Sequence, residues 1–339
     1  MSQAADVSRA PEVTIVIPTH NRSDVLMETL EALSASAPPD GGWEAVVVDD
    51  GSTDDTSVVI PRWIDAHCSP IRYLCQENGG AASARNRGGQ DARGRFLIFI
   101  DNDIVVGRDF VRQHVETLQT HPGCWVVGRV THPPALRTTP FGRYRYALGE
   151  EFYLRHAAAI PIPTTVITAQ NLSLPATDFD RLGGFDAGFE IASSEDWDLG
   201  FRARQAGITL LYHPQIVAVH NDWAVSLESF CRRQELYSIS DVLLCRKHGE
   251  ASPRFKLVVE NGPLDWRRDG LGLTLKKVVK WCLAYLLGGR ALRAGVRAIE
   301  RIAPDTALCR RAYRLALSEA IFSGVREGYR RYPGEGSAR

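Results

Sequence analysis

The sequence has no CxxC pair. Its seven cysteines (Cys68, Cys75, Cys124, Cys231, Cys245, Cys282 and Cys309) are odd in number and scattered. That argues against a disulfide framework or a structural zinc site and suits a reduced compartment. There is no excess of charge, with forty Lys and Arg against forty Asp and Glu. A neutral balance argues against a general nucleic-acid binder and leaves room only for a local basic patch. No run reaches eighteen apolar residues. The nearest, 278–289, is short and broken by Lys280, so no membrane-spanning helix is expected. Residues 1–11 lack an apolar signal core and read as a disordered lead-in to a cytoplasmic protein. No internal repeat is visible, and no GxGxxG follows a strand, which argues against a dehydrogenase.

What is present is ordinary globular material. Of 339 residues, 44% are hydrophobic and 24% charged, enough for one large α/β domain with an appendage or for two domains. Short β-rich runs at 13–17, 45–48, 71–75 and 96–100 alternate with helical patterns. One helix is expected after Ser23, with Leu26, Leu30 and Leu33 on one face. A second is expected from a Thr53 cap, ended or kinked by Pro61, and a third over 79–92. Such alternation predicts a parallel sheet covered on both faces. Further on, 125–130 reads as a strand, 141–156 as a helix, 164–174 as extended, and 195–206 as a helix ended by Gly207. Two short strands, 209–212 and 216–220, are expected on either side of His213-Pro214. A long helix is expected over 226–248, two or three amphipathic helices over 271–331, and a disordered tail beyond.

In an open parallel sheet, ligands bind beyond the carboxyl ends of the strands. Three polar clusters follow strand ends here: Pro18-Thr19-His20-Asn21-Arg22, Asp49-Asp50-Gly51-Ser52, and Asp101-Asn102-Asp103. The last is the sharpest, because two carboxylates two residues apart can converge on Mg²⁺ or Mn²⁺ and leave positions for phosphates. Asp49-Asp50 suits either a plain turn or a contact to a base or ribose. The small-residue segment from Gly79 to Gly88 suits either tight packing or a diphosphate site served by Arg85 or Arg87. Glu195-Asp196-Trp197-Asp198 opens a helix, where acids suit the helix dipole. Asp198 and Arg202 are spaced for an ion pair, which leaves Glu195 or Asp196 to serve as a general base. His220 ends an apolar run and is either structural or a third metal ligand.

Six segments in register resemble family 2 glycosyltransferases of the GT-A fold: VTIVIPTHNR (13–22), VVVDDGSTDDT (46–56), NGGAASARNRG (78–88), FLIFIDNDI (96–104), RLGGFDAGF (181–189) and EDWDLGFRARQAG (195–207). The resemblance covers residues 11–222. It implies a Rossmann-like, mostly parallel sheet flanked by helices, over 12–250, with a nucleotide-binding half (12–104) and an acceptor half (105–250). A helical region (270–331) and a tail (332–339) follow. It also implies a divalent-cation-dependent, inverting transferase using a nucleotide-diphospho-sugar, with a UDP-sugar favoured, in glycan, cell-surface polysaccharide or glycoconjugate biosynthesis. By the same resemblance Pro18, Thr19, His20, Asn21, Asp50, Arg85, Asp101 and Asn102 contact the donor. Asp101, Asp103 and His220 hold the metal, and Asp196 is the catalytic base. Gly184, Phe185, Glu195 and Trp197 shape the acceptor pocket, whose occupant is a glycan, a lipid-linked acceptor or a small molecule. The family often carries an aromatic residue where His20 stands. The competing readings are a sugar-1-phosphate nucleotidyltransferase, which would carry a GxGxR-type loop after the first strand, and a catalytically silent binding protein. The basic amphipathic stretch 275–297 suits peripheral contact with the inner membrane face, packing on the catalytic domain, or a dimer interface.

Overall fold

The computed structural model describes residues 10–154, 161–191, 193–222, 224–266 and 268–333. The expected lead-in and tail lie almost wholly outside the described residues. The elements begin β1 (Val13–Thr19), α1 (Ser23–Ser34), β2 (Trp43–Asp50), α2 (Thr56–His67), β3 (Ile71–Gln76), α3 (Gly80–Gln90) and β4 (Phe96–Phe99). They continue with β5 (Ile104–Val106), α4 (Phe110–Thr120), β6 (Cys124–Thr131), α5 (Pro140–Leu154), β7 (Ile162–Pro163), β8 (Leu172–Pro175), α6 (Ala176–Leu182), α7 (Glu195–Gln205) and β9 (Thr209–His220). Last come α8 (Leu227–His248), α9 (Phe255–Asn261), α10 (Leu271–Ile302) and α11 (Ala307–Arg331).

The chain divides into two compact units. The first takes in Met1–Pro133, Phe152–Glu190 and Glu195–Asn221. It holds one sheet in the order β3-β2-β1-β4-β8-β6-β9-β5, with β7 paired to β9. Strands β3, β2, β1 and β4 run parallel, and β8 pairs antiparallel with β4. Both faces are buried, as the apolar runs predict. Val13, Ile15 and Ile17 of β1 join Ile98, Leu26, Leu30 and Leu33 on one face. Val16, Leu97 and Phe99 join Phe179 and Phe185 on the other. Helix α3 lies close on β1 because Gly88 has no side chain; a Cβ there would sit 2.4 Å from Val16 Cγ1.

Several local expectations are corrected. Ser23 is the first helical residue of α1, and its hydroxyl donates to Asp55 Oδ1 at 2.7 Å instead of capping the helix. Helix α2 starts at Thr56: the Thr53 hydroxyl is turned to Asn21 Oδ1 at 3.3 Å, and the Thr56 N–H donates to Asp54 Oδ1 at 3.0 Å. Pro61 sits inside α2 without ending it. It removes only the bond to the carbonyl of Ser57, an exposed residue. Of 164–174, only the last residues are strand. The two strands expected around His213-Pro214 are one strand, β9, with a register shift opposite Gly128 and Arg129 that absorbs the proline.

That shift is held from below. Asn171 Nδ2 donates to the carbonyls of Ile216 and Arg129, both at 3.0 Å. This fixes Asn171 Oδ1 as the acceptor for His114 Nε2 at 2.8 Å, so Ser173 Oγ donates to His114 Nδ1, also at 2.8 Å. A Cβ on Gly128 would lie 2.3 Å from Asn171 Nδ2, so glycine makes room for the lock.

The second unit takes in Pro134–Glu151, Ile191–Ser194 and Asp222–Arg339. Helices α5 and α8 therefore lie with α10 and α11 and not with the sheet. Aromatic packing is the reason: the Phe141 ring is 5.8 Å from Phe230 and 5.1 Å from Tyr313. Ser226 caps α8 in a reciprocal capping box with Ser229. Helix α10 bends at Gly288, whose φ is +63°.

Burial pushes the His114 pKa down to about 3, with His213 adding slightly and the Asn171 bond opposing. The folded state thus excludes a proton that the unfolded chain takes up below about pH 6.5. Stability from this group is complete above that pH. It falls by about 1.4 kcal/mol per pH unit down to pH ~3. Urea melts at several acid pH values should show a steeper loss for the wild type than for His114→Gln. Equal slopes would remove His114 as the origin.

Candidate functional site

The rim begins where β1 and β2 end side by side, Thr19 opposite Asp49. Asp49 is fully buried and structural: Ser52 N–H donates to it at 2.9 Å and the Tyr73 hydroxyl donates to its other oxygen. Asp50 has a different task. Its carboxylate accepts from the N–H groups of Gly79 and Gly80 and from Gln76 Nε2, each at 2.8 Å. It thereby ties the end of β2 to the start of α3. Asn21 makes a second tie. With φ at +54°, it takes Ser52 Oγ at 2.8 Å on its N–H, and its side-chain oxygen accepts from Thr53 and Asp54. His20 is exposed above this turn, Nδ1 3.0 Å from the Asp50 carbonyl and Nε2 2.9 Å from Asn21 Nδ2. A ring protonated at Nδ1 satisfies both contacts.

Pro18, Thr19 and Asn102 are buried. Asn102 Nδ2 donates to Thr19 Oγ1 at 3.0 Å, and the Asn102 carbonyl accepts from Thr29 Oγ1 at 2.9 Å. These residues brace β1 against the segment after β4.

The two acids of Asp101-Asn102-Asp103 turn to different partners. Asp103 is 5% exposed. Its Oδ2 accepts from Arg22 Nη1 at 3.0 Å and lies 3.3 Å from His220 Nε2. His220 arrives there because β9 pairs antiparallel with β5, setting His220 opposite Ile104. Asn221 N–H donates to the Asp103 carbonyl at 2.8 Å and closes the junction. Burial would raise the Asp103 carboxyl, but His220 and Arg22 outweigh it and hold the group below its usual range. Its other oxygen, Oδ1, is buried with no hydrogen-bond partner among the described residues.

Asp101 accepts from Arg85 Nη2 at 2.6 Å, while Arg85 Nη1 donates to Glu195 at 2.7 Å. Arg85 is 4% exposed and lies over the Phe185 ring at 5.4 Å. Burial alone would lower its pKa; the two carboxylates raise it instead. Asp196 is partly buried at the start of α7, accepting from Trp197 N–H at 2.7 Å and Ala169 N–H at 3.4 Å. Loss of hydration, and then Glu195, push its carboxyl well above the ordinary range, against a smaller pull from Arg85.

The acceptor-side residues fall into two kinds. Glu195 is buried on Arg85, and Phe185 is 2% exposed, its ring packed 5.1 Å from Phe99 and 5.8 Å from Phe179. These side chains anchor the loop and do not line open space. Asn86 brackets Phe185 through both its backbone groups, at 2.7 and 2.8 Å. Arg202 pairs with Asp198 at 2.7 Å, as the spacing predicts, and also donates to the Gly184 and Leu182 carbonyls. Trp197 is half-buried on α7. Arg22, Gln76 and Asn86 are the site residues that sequence reasoning missed. Two lie inside the quoted motifs, but nothing in their spacing says which side chain turns inward.

Among the described residues no cluster of three or more His, Cys, Asp or Glu stands ready for a metal. Two donors do: the Asp103 carboxylate, with Oδ1 unmatched, and the His220 ring. A hard divalent ion accepts such a pair when phosphate oxygens and water supply the rest of its shell. Asp101, expected as a third ligand, is engaged by Arg85.

Residues 14–171 match the family model described as Glycosyl transferase family 2. A validoxylamine A glucosyltransferase of Streptomyces hygroscopicus subsp. limoneus is 30% identical over 297 residues, covering 75% of this chain and 60% of the relative. A pre-mycofactocin glycosyltransferase of Mycobacterium tuberculosis (strain ATCC 25618 / H37Rv) is 28% identical over 340 residues, covering 92% and 67%. The chain thus spans about two thirds or less of these relatives' length. Among solved structures, a mannosyltransferase from Pyrobaculum calidifontis in complex with GDP-Man and Mn²⁺ superposes with a TM-score of 0.60 at 19% identity, over 93% of this chain and 88% of that one. GalNAc-T7 with UDP, GalNAc and Mn²⁺ gives 0.55 at 18% identity, over 82% and 56%. The fold is GT-A, and the chain carries a domain of glycosyltransferase family 2.

Proposed function

We propose that this chain is a metal-dependent, inverting glycosyltransferase. It moves a sugar from a nucleotide-diphospho-sugar, with a UDP-sugar favoured, to an acceptor hydroxyl in glycan, cell-surface polysaccharide or glycoconjugate biosynthesis. The observation that carries the reading is the unmatched, buried oxygen of Asp103 beside His220, on the rim where β1, β2 and β4 end. The bound Mn²⁺ and nucleotides of the two structural neighbours support it. The named relatives, a validoxylamine A glucosyltransferase and a pre-mycofactocin glycosyltransferase, support sugar transfer.

Asp103 and His220 would hold the divalent ion, and Asp101 and Arg85 would stand beside it. When bound, the ion supplies Lewis-acid stabilisation of charge on the leaving diphosphate. The chain's own residues do the rest. The Asp50 tie to Gly79 and Gly80 and the Asn21 tie to Ser52 fix the turns against which the nucleoside part of the donor rests. Asp196 takes the proton from the acceptor hydroxyl as that oxygen attacks the anomeric carbon. The carbon–oxygen bond to the diphosphate breaks in the same displacement, so configuration inverts. A carboxyl held above its ordinary range is a stronger base than a free aspartate, which suits this step. The protein would work in the cytoplasm as a peripheral protein on the inner membrane face. Among the described residues no helix is long and apolar enough to cross a membrane.

Asp196→Asn should lower turnover by roughly 10²- to 10⁴-fold while leaving Mn²⁺-dependent UDP binding intact. Normal turnover would sink the assignment, and so would a product that keeps the donor's anomeric configuration by NMR. The wild-type rate should fall on the acid side at a pH above the usual carboxylate range, because Asp196 must be deprotonated to act. Asp103→Ala should abolish the Mn²⁺-dependent part of the thermal shift given by UDP; an unchanged shift would count against the metal site.

A further inference from the structure

The second unit carries a surface that the transfer chemistry does not use. Residues 262–266, α10 and α11 enclose an apolar trough of about 660 Å³, lined by Leu264, Val278, Trp281, Cys282, Phe322 and Tyr329. Trp266 also lines the trough and is 76% exposed, and apolar surface continues outside it at Leu271, 93% exposed, and Leu275, 65% exposed. Leu271, Leu275, Val278 and Cys282 are spaced four, three and four residues apart, so they form one stripe on α10. Single exposed leucines need no explanation, but a contiguous stripe with two tryptophans does.

The loop that presents Trp266 is pinned. Lys277 Nζ is buried and donates to Asp269 at 2.8 Å and to the Pro263 carbonyl at 2.9 Å. This buried pair ties Pro263 and Asp269, on either side of Trp266, to α10.

Cationic groups stand at the same edge. Arg326 and Arg330 line the apolar trough and also a second cleft of about 440 Å³, which they share with Arg232, Arg331, Glu235 and Glu327. Glu327 pairs with Arg330 and Arg331 at 3.4 Å. Among the described residues no carboxylate reaches salt-bridge distance of Arg326 or Arg232. The chain as a whole is neutral, so this local positive charge is not a by-product of composition.

An apolar trough whose rim arginines also line a polar cleft matches an amphiphile with a negative head. We propose that this face of α10 and α11 docks on an anionic phospholipid bilayer. Trp266, Leu271 and Leu275 enter the interfacial layer, and Arg326, Arg330 and Arg232 meet lipid phosphates. Tryptophan suits that depth because its ring is apolar and its N–H is polar. Apolar insertion together with cationic attraction is the combination that holds a peripheral protein on such a surface. The inference deepens the peripheral-contact part of the proposed function and is independent of the donor and the chemistry.

Flotation of the full chain with vesicles tests it, using phosphatidylcholine alone and phosphatidylcholine mixed with phosphatidylglycerol. Binding should require phosphatidylglycerol and weaken with salt. The double variant Trp266→Ser/Leu271→Ser and the single variant Arg326→Gln should each bind roughly tenfold less. Helix content by circular dichroism and the Mn²⁺-dependent UDP thermal shift should be unchanged in both. That control separates failure of this inference from failure of the catalytic reading. Equal binding to both vesicle types, or to neither, would overturn the proposal. So would release by free glycerol phosphate, which would mark a soluble phosphate ligand. A wild-type dimer that the double variant turns into a monomer, with no vesicle binding, would assign the face to a second copy instead.

Discussion

The rim depends on one constraint: Asp103 must stay charged while nearly out of water, with one oxygen held and the other unmatched. Removing a carboxylate from water is costly unless cations or donors replace the lost hydration. Arg22 and the His220 ring supply that on Oδ2 only. The fold serves this arrangement from three directions. Arg22 comes from the loop after β1. Asp103 comes from the loop after β4. His220 comes from β9, more than a hundred residues later, through its pairing with Ile104.

The late histidine can arrive only if β9 passes through its irregularity in one register. A strand that slips by one residue sends every side chain to the opposite face. The Asn171–His114 lock grips the carbonyls of Ile216 and Arg129 on either side of the shift. A buried histidine remote from the chemistry thus fixes which face His220 presents. This explains a polar network inside an otherwise apolar layer, where each member's hydrogen bonds fix the orientation of the next.

Much of this was legible in the chain. The four parallel strands, the helices between them and the three polar clusters at strand ends follow from periodicity and position. The spacing of Asp198 and Arg202 gave their ion pair. What was not legible was orientation. Nothing in DNDIV says that the first acid turns to Arg85 and the second to His220, since that depends on pairings across 16 and more than 100 residues. Phe185 was expected at the acceptor pocket from the family resemblance of its segment, but its ring fills the core beside Phe99. The single strand β9 was hidden by Pro214, which ordinarily ends a strand and here sits at a bulge. The membership of α5 and α8 in the second unit was hidden for a similar reason. Their aromatic residues show that they pack, but not against which partner.

The electrostatics around Arg85 tie the two halves of the site together. One buried guanidinium faces Asp101 and Glu195 directly and Asp196 at longer range. A single cation can compensate the two carboxylates it touches but not a third. Asp196 is the third, and loss of hydration, followed by the charge of Glu195 beside it, holds its carboxyl well above the ordinary range. The basicity of Asp196 is therefore not a property of α7, whose first turn would favour the ionised form through the helix dipole. It is set first by loss of hydration and then by the charge of Glu195, and Arg85 on α3, already held by Asp101 and Glu195, gives only a smaller pull the other way.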